Sequence, residues 1–505
     1  MRQLDKEVKA DLCIYGASSA GVAAALQARR MGLRVVLVDS GSHLGGLTSG
    51  GLGATDIGNK AAIGGIAREF YTAVGRHYGS GEPDGTQWTF EPSVAKRIFE
   101  EWLQAAEAPV HFEQRLESVE LQSGKLSGLI MHGGARFSAR MFIDATYEGD
   151  LLAQAGVSFH VGREANAVYR ETLNGVHYGH PNHNFKTWVD PYVVPGKPDS
   201  GLLAGVSDVP VLWQGAGDAS VQAYNFRICL TNNPANRLPF PQPPDYDPQQ
   251  FELLARYLES GVWDAMRLHK MMPGGKSDLN NFGAVSTDYV GGCDDWPEGD
   301  AATRGRLFRD MYRYNAGMLY FLANDERVPE PIRREAGQWG IPADEYPDTA
   351  HWTPQLYIRE GRRMVSDLVM TEHHCRGRAV VDDAVGLAAY KMDSHNCRRL
   401  VLDGRCVNEG NVEVSPSAPY PISYRAIVPR GEECTNLLVP VCLSASHIAF
   451  GSIRMEPVFM ILGQSAAVAA ALALDSDCTV QEVEYARLRQ RLLADNQVLD
   501  WQAAP

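Results

Sequence analysis

One short segment narrows the folds open to this chain of 505 residues. An apolar run, Asp11-Leu12-Cys13-Ile14-Tyr15, passes straight into Gly16-Ala17-Ser18-Ser19-Ala20-Gly21. A second apolar run, Val35-Val36-Leu37-Val38, follows and ends on Asp39. Strand, tight turn, helix, strand and terminal acid make up the nucleotide-binding βαβ unit. Gly16 permits the sharp exit from the strand, and Gly21 lets the helix press against the sheet. The N–H groups at the helix start, around Ser18, Ser19 and Ala20, attract a pyrophosphate, helped by the positive end of the helix dipole. Asp39 accepts hydrogen bonds from ribose hydroxyls. Ser18 stands where the middle glycine of G-x-G-x-x-G belongs; it is small, and its hydroxyl can donate to a phosphate oxygen. An ordinary strand-to-helix turn shares some of these features. Ala23-Ala24-Ala25 on the helix, Asp39, and the position at the chain start favour nucleotide binding.

The length suits two domains or three. A formal net charge of -14 argues against nucleic acid as a partner, because phosphate backbones need a basic face. No apolar run of membrane-spanning length is read from the sequence, and Ala466 to Leu474 reads as a buried helix. Met1 to Glu7 lacks the apolar region of a signal peptide. The nine cysteines form no C-x-x-C pair, so a reducing, cytoplasmic setting is expected. Cys375 and Cys397 lie near His373, His374 and His395, but the spacing matches no standard ligand pattern, and no metal is expected.

Along the chain, the loop from Ser40 to Gly65 is dense in glycine, and Leu44, Leu47, Leu52 and Ile57 punctuate it as packed residues. Glu91 to Ala108 reads as an amphipathic helix. Val110 to Phe112, Leu116 to Leu121 and Leu126 to His132 read as antiparallel strands. Ala139 to Ala145 is another buried strand, and its strand-turn-helix could return to the first sheet. From about Phe159 to Pro354 the texture becomes rich in proline and aromatics, with helices at Gln249 to Glu259 and Ala301 to Ala323. Helical periodicity resumes at Leu356 to Glu372. The expected division is 1–158, 159–354 and 355–505, the middle part forming a substrate-binding cap.

Four segments together resemble the bacterial FAD-dependent oxidoreductases whose FAD domain is glutathione-reductase-like. They are Gly16 to Gly21 through Asp39 with Gly45-Gly46; Phe142-Ile143-Asp144-Ala145-Thr146-Tyr147-Glu148-Gly149-Asp150; Gln222 to Arg227 with Asp278 to Asp288; and Asn436 to Pro440, Ser444 to His447 and Arg454-Met455-Glu456-Pro457 to Ala467. The departures are Ser18 and Tyr147, where many flavoproteins carry glycine. The resemblance implies an α/β chain: a Rossmann-type FAD-binding domain of three-layer ββα organisation with an inserted α+β cap. It implies that both chain ends hold one FAD. Beyond the first turn, it carries cofactor contacts onto Ser40, Gly45, Gly46, Leu47 and Thr48. It carries others onto Leu116, Asp144 and Ala145, and onto Arg454 and Gln464 of the last block.

Oxidation of a C–H bond by such a cofactor needs a base for the departing proton and positive charge near the reduced ring. The helix beginning near Pro457, with Arg454, offers the charge. His447 is the first candidate base; Tyr424 and Arg425 are candidate substrate anchors, and His395 follows as a histidine oriented by a carboxylate. A histidine fixing a turn and an arginine at a domain seam are the plainer readings. Arg362-Arg363 beside Glu360 reads as a helix charge pair. The expected function is hydride transfer from a small polar substrate (an alcohol, sugar derivative or amine) to FAD. Its alternatives are an NAD(P)H-dependent reductase or monooxygenase, and a flavoprotein in which FAD is structural. The expected partner is a small-molecule substrate, with neither nucleic acid nor membrane; a homo-oligomer is compatible with the sequence.

Overall fold

The computed structural model describes residues 7–268 and 271–501. The apolar runs Leu12–Tyr15, Val35–Val38 and Met141–Asp144 are buried along their whole length, as strands covered on both faces must be. They lie in a parallel sheet ordered Leu437–Leu438, Met141–Asp144, Leu12–Tyr15, Val35–Val38, Val110–His111. Leu12 stands opposite both Val35 and Met141, and Tyr15 opposite Val38 and Asp144.

Strand alternation sends successive side chains to opposite layers. Leu12, Ile14, Val35 and Leu37 pack with the helices Ser19–Arg30 and Glu456–Ser476. Cys13, Tyr15, Val36 and Val38 pack instead against Leu116, Leu126, Leu129 and Phe137. Those belong to a second sheet ordered Glu7–Lys9, Arg136–Ser138, Lys125–Met131, Leu116–Gln122. Helices, parallel sheet and small sheet make the expected three layers.

Glu456–Ser476 is long and apolar enough to cross a membrane, with a mean hydropathy of 1.9 over its most apolar stretch, yet 89% of that stretch is buried within the fold. It is the central core helix. It approaches Ser19–Arg30 so closely that a Cβ on Gly463 would stand 2.2 Å from the Ala20 carbonyl oxygen. A second apolar core, with Leu230, Phe251, Leu254, Tyr257, Met311 and Leu319, lies under the helices Glu252–Glu259 and Ala301–Asn324.

Two sequence expectations fail. Val110–His111 does not join the antiparallel group; it pairs parallel with Val35–Val38 at the sheet edge. Leu356 to Glu372 is not a helix. Leu356–Tyr357 pairs with Asn225–Phe226 and Arg363–Met364 with Phe159–His160, leaving helix only at Glu372–Cys375. The charges there do not share a helix face: Arg362 meets Asp150 at 2.7 Å, Arg363 meets Glu164 at 2.6 Å, and Glu360 holds His447. Tertiary ion pairs overrode local periodicity.

Candidate cofactor and active site

The first turn is built for close backbone approach. Gly16 has φ +110°, and a Cβ there would fall 2.5 Å from the Ala145 carbonyl carbon. A Cβ on Gly21 would fall 1.9 Å from the Gly16 oxygen, so helix and strand meet with no side chain between them. Ser18 caps the helix, accepting from the Gly21 amide at 3.3 Å. Its hydroxyl proton goes to the Ala145 carbonyl at 2.7 Å, so Ser18 ties the first turn to the second rather than offering that proton to a phosphate. Intrahelical bonding begins at the Val22 amide; the parallel bridge between Ser18 and Gly45 turns the Ser19 amide toward the Gly45 carbonyl, and among the described residues no protein acceptor takes the Ala20 amide.

The glycine loop folds over this turn. The Gly45 amide donates to the Ala17 carbonyl at 2.7 Å. Gly46 has φ +53°, and a Cβ there would lie 2.3 Å from the Tyr147 hydroxyl and 3.1 Å from Ser18 Cα. Leu44, Leu47, Leu52 and Ile57 are buried, as expected of a packed loop. Asp39 accepts from the Ala17 amide at 2.5 Å and the Gly41 amide at 2.7 Å, leaving lone pairs for further donors. Burial pushes its carboxyl above the usual range. Gly16, Ser18, Asp39 and Gly46 line a cleft of about 230 Å³, together with Ser40, Ala145, Tyr147, Glu148 and Gln355. A neighbouring cleft of about 990 Å³ shares Ser40 and Glu148 and brings in Leu116 and Tyr15. Burial, with Asp150 and Asp39 nearby, pushes Glu148 up to about 7, against the pull of Arg304.

The C-terminal helix reaches the same place through Glu456. Its carboxylate, 2% exposed, accepts from Ser19 Oγ at 2.7 Å, Thr48 Oγ1 at 2.6 Å and Tyr147 Oη at 2.8 Å. The Leu47 amide in turn donates to Tyr147 Oη at 2.9 Å. One acid thus gathers the first turn, the glycine loop and the second turn. Tyr147 is a working member of this set rather than a departure from it.

Other expected cofactor residues act one step back. Asp144 is fully buried and shapes the second turn, accepting from the Thr146 and Leu152 amides at 3.0 and 2.8 Å. Burial raises its carboxyl to about 6. Gln464 sits outside the cleft: it accepts from the Ile66 amide at 2.9 Å and donates to Gln27 at 3.1 Å, locking core helices together. Arg454 is buried at a different point, donating to Tyr357 Oη at 2.7 Å and to Asp393 Oδ2 at 3.2 Å.

That point is a seam of paired charges. Guanidinium groups of Arg227, Arg359 and Arg454 lie 5.9, 4.6 and 5.5 Å from the Tyr357 ring centre. Arg227 pairs with Asp278, Arg359 with Asp288 and Arg454 with Asp393. His395 bridges two of these pairs, with Nδ1 at 2.9 Å from Asp288 and Nε2 at 3.2 Å from Asp393. Burial raises the Asp393 carboxyl, but His395, Lys391 and Arg454 outweigh it and hold the group well below its ordinary range. Tyr357 also packs with Leu47 and Leu52, linking the seam to the glycine loop.

His447 is sealed, at 1% exposure. Nδ1 meets Glu360 at 2.7 Å and Nε2 meets Ser394 Oγ at 3.0 Å. Burial raises Glu360, and His447 and Arg363 more than offset it, leaving the carboxyl below its usual value. Tyr424 and Arg425 are not brought into the seam. The Tyr424 hydroxyl donates to the Val480 carbonyl at 2.7 Å, and Arg425 pairs with Asp383 and Asp382 with nearly half its side chain exposed. They follow the strand Tyr420–Ser423, which pairs with Ala384–Ala388. Sequence reasoning missed Glu456, Tyr357 and Arg359, and of the carboxylates at His395 only Asp393, two residues away, stood within its view. Glu456 stood two residues from Arg454 and could have been found there; Tyr357 and Arg359 carry no local signal.

A glycine-marked βαβ turn, an acid at the end of its second strand and a second turn tied to a C-terminal helix make up a Rossmann-type dinucleotide site. The chain belongs to the FAD dependent oxidoreductase family, whose model matches residues 11–492. It is an oxidoreductase, and FAD is its cofactor. No curated protein matches it. Among solved structures it is similar to the OxyS anhydrotetracycline hydroxylase of Streptomyces rimosus, at 13% identity and TM-score 0.23, covering 32% of this chain and 36% of that one. It is similar to the THI4 protein of Thermovibrio ammonificans at 18% identity and TM-score 0.25, over 33% and 71% of the two chains. A flavin-containing monooxygenase of Stenotrophomonas maltophilia shares 17% identity at TM-score 0.21, over 32% and 43%. The chain thus spans less than half the length of two of these three.

Proposed function

We propose that the chain oxidises a small polar molecule, an alcohol, sugar derivative or amine, by hydride transfer, with residues 159–354 supplying the substrate-facing wall. The carrying observation is His395, held between Asp288 and Asp393 where the second core meets the cofactor layers. Bound FAD supplies the two-electron acceptor. Asp288, anchored by Arg359, orients the imidazole through Nδ1. The looser contact at Nε2 is the one a substrate O–H or N–H displaces: Nε2 first releases to solvent the proton it shares with Asp393, and then takes the substrate's proton as the C–H bond breaks. Arg454 and Lys391 keep Asp393 ionised beside the resulting imidazolium. Each arginine at the seam already has its own carboxylate, which favours an uncharged substrate over an anion. His447 serves as a positioning residue: it fixes Ser394, the residue before His395.

The test is an anaerobic screen of alcohols, sugars and amines for bleaching of the flavin spectrum. At least one class bleaches wild type, and His395→Asn slows that step by roughly a hundredfold or more. Bleaching by NADPH alone, with none by the panel, would replace this reading with a reductase or monooxygenase. An unchanged rate in His395→Asn would remove His395 from the chemistry.

A further inference from the structure

Six buried arginines each carry a carboxylate partner: Arg163 with Asp218 and Glu409, Arg227 with Asp278, Arg359 with Asp288, Arg362 with Asp150, Arg363 with Glu164, and Arg454 with Asp393. Arg399 does not. It is 4% exposed, and its guanidinium meets only neutral acceptors. Nε donates to Asn408 Oδ1 at 3.0 Å, Nη2 to the Ala284 carbonyl at 3.0 Å, and Nη1 to the Gly205 carbonyl at a long 3.4 Å. Among the described residues no carboxylate lies within ion-pair distance of it. A buried charge without a counter-ion is costly, and neutral dipoles offset only part of that cost.

Arg399 also lines a cavity of about 290 Å³ in the second core. The walls include Phe251, Leu254, Val285 and Tyr314, with Gln250 and Tyr289 as polar points. A single guanidinium calls for a single negative charge, and planar nitrogens match a carboxylate. The apolar walls call for a hydrocarbon or aromatic body.

We propose that this cavity is a second binding site, separate from the flavin seam, for a small organic monocarboxylate whose charge pairs with Arg399. The ligand's oxygens replace the long Gly205 contact at Nη1, and its body packs on Phe251, Leu254 and Val285. Tyr289 of the wall directly follows Asp288, so the occupant lies one residue from the acid that orients His395.

The FAD-loaded protein is titrated with 4-fluorobenzoate and followed by fluorine NMR, with 4-fluorobenzamide as the uncharged probe. Wild type binds the benzoate saturably and the benzamide more weakly. Arg399→Gln weakens benzoate binding roughly tenfold or more. Val285→Phe fills the cavity while keeping Arg399, and abolishes binding. Absence of saturable binding to wild type overturns the proposal, as does undiminished binding in Val285→Phe. The latter variant decides alone if Arg399→Gln does not fold.

Discussion

The Tyr147 hydroxyl donates to Glu456 Oε1 at 2.8 Å, joining residues 309 apart in sequence. Through this bond the turn after Met141–Asp144, whose Tyr147 and Glu148 line the candidate cleft, is fixed to the first residue of the C-terminal core helix. The same hydroxyl accepts from the Leu47 amide, so the glycine loop depends on it too.

Tyr147→Phe therefore leaves a buried amide without its acceptor and Glu456 with one donor fewer. Stability should fall by about 1–3 kcal/mol, read by thermal denaturation of the FAD-loaded protein. FAD affinity, measured by fluorescence quenching, should fall with it. An unchanged affinity would mean that Tyr147 has no part in shaping the cleft.

Gly21→Ala places a methyl group 1.9 Å from the Gly16 carbonyl oxygen, a backbone atom that cannot step aside. The helix must shift off the strand at a cost of about 1–3 kcal/mol or more. Purified protein should carry little flavin, judged by the ratio of visible to ultraviolet absorbance.

Glu148 titrates near 7 in the folded protein against an ordinary value of 4.5. Between those values the folded state holds a proton that the unfolded state has released. Stability from this group is thus full below about 4.5 and declines as pH rises through about 7. Glu148 lines the cleft with Gly16 and Asp39, so its ionisation also opposes the diphosphate of FAD. FAD affinity should drop as pH climbs from 6 to 8, and Glu148→Gln should flatten that dependence. Equal slopes in the two proteins would locate the titration elsewhere.

His447→Ala leaves Glu360 buried without its ring partner, which costs about 3–5 kcal/mol in comparable buried pairs. The expected signature is lowered thermal stability, with flavin reduction slowed less than in His395→Asn. Greater slowing than in His395→Asn, in a variant of wild-type stability, would return His447 to the role of base.

Arg425→Ala removes a half-exposed ion pair far from the seam. Stability should change by less than about 1 kcal/mol, and substrate-driven flavin bleaching should not change. A large loss of rate would place Arg425 in a site that its contacts with Asp382 and Asp383 do not reach.

The strand, turn and helix of the candidate cofactor site were legible in the sequence because their physics is local. A buried strand, a glycine turn, a helix start and a strand-end acid are neighbours in the chain, so residues 11–39 announce the βαβ unit without help. The packed leucines of the glycine loop and the return of Met141–Asp144 to the first sheet followed from the same hydrophobic patterning. The proposed active seam was not legible, because no local rule links its members. His395, Asp288, Arg359 and Tyr357 meet only after the second core docks on the cofactor layers. Proximity in sequence misdirected the choice of Tyr424 and Arg425, whose strand carries them elsewhere, and periodicity misread residues 356–372, where long-range ion pairs hold the backbone extended. Sequence alone determined what kind of nucleotide turn this chain makes; tertiary packing decided which charges face one another, since a buried charge takes its partner from whatever the fold brings within reach.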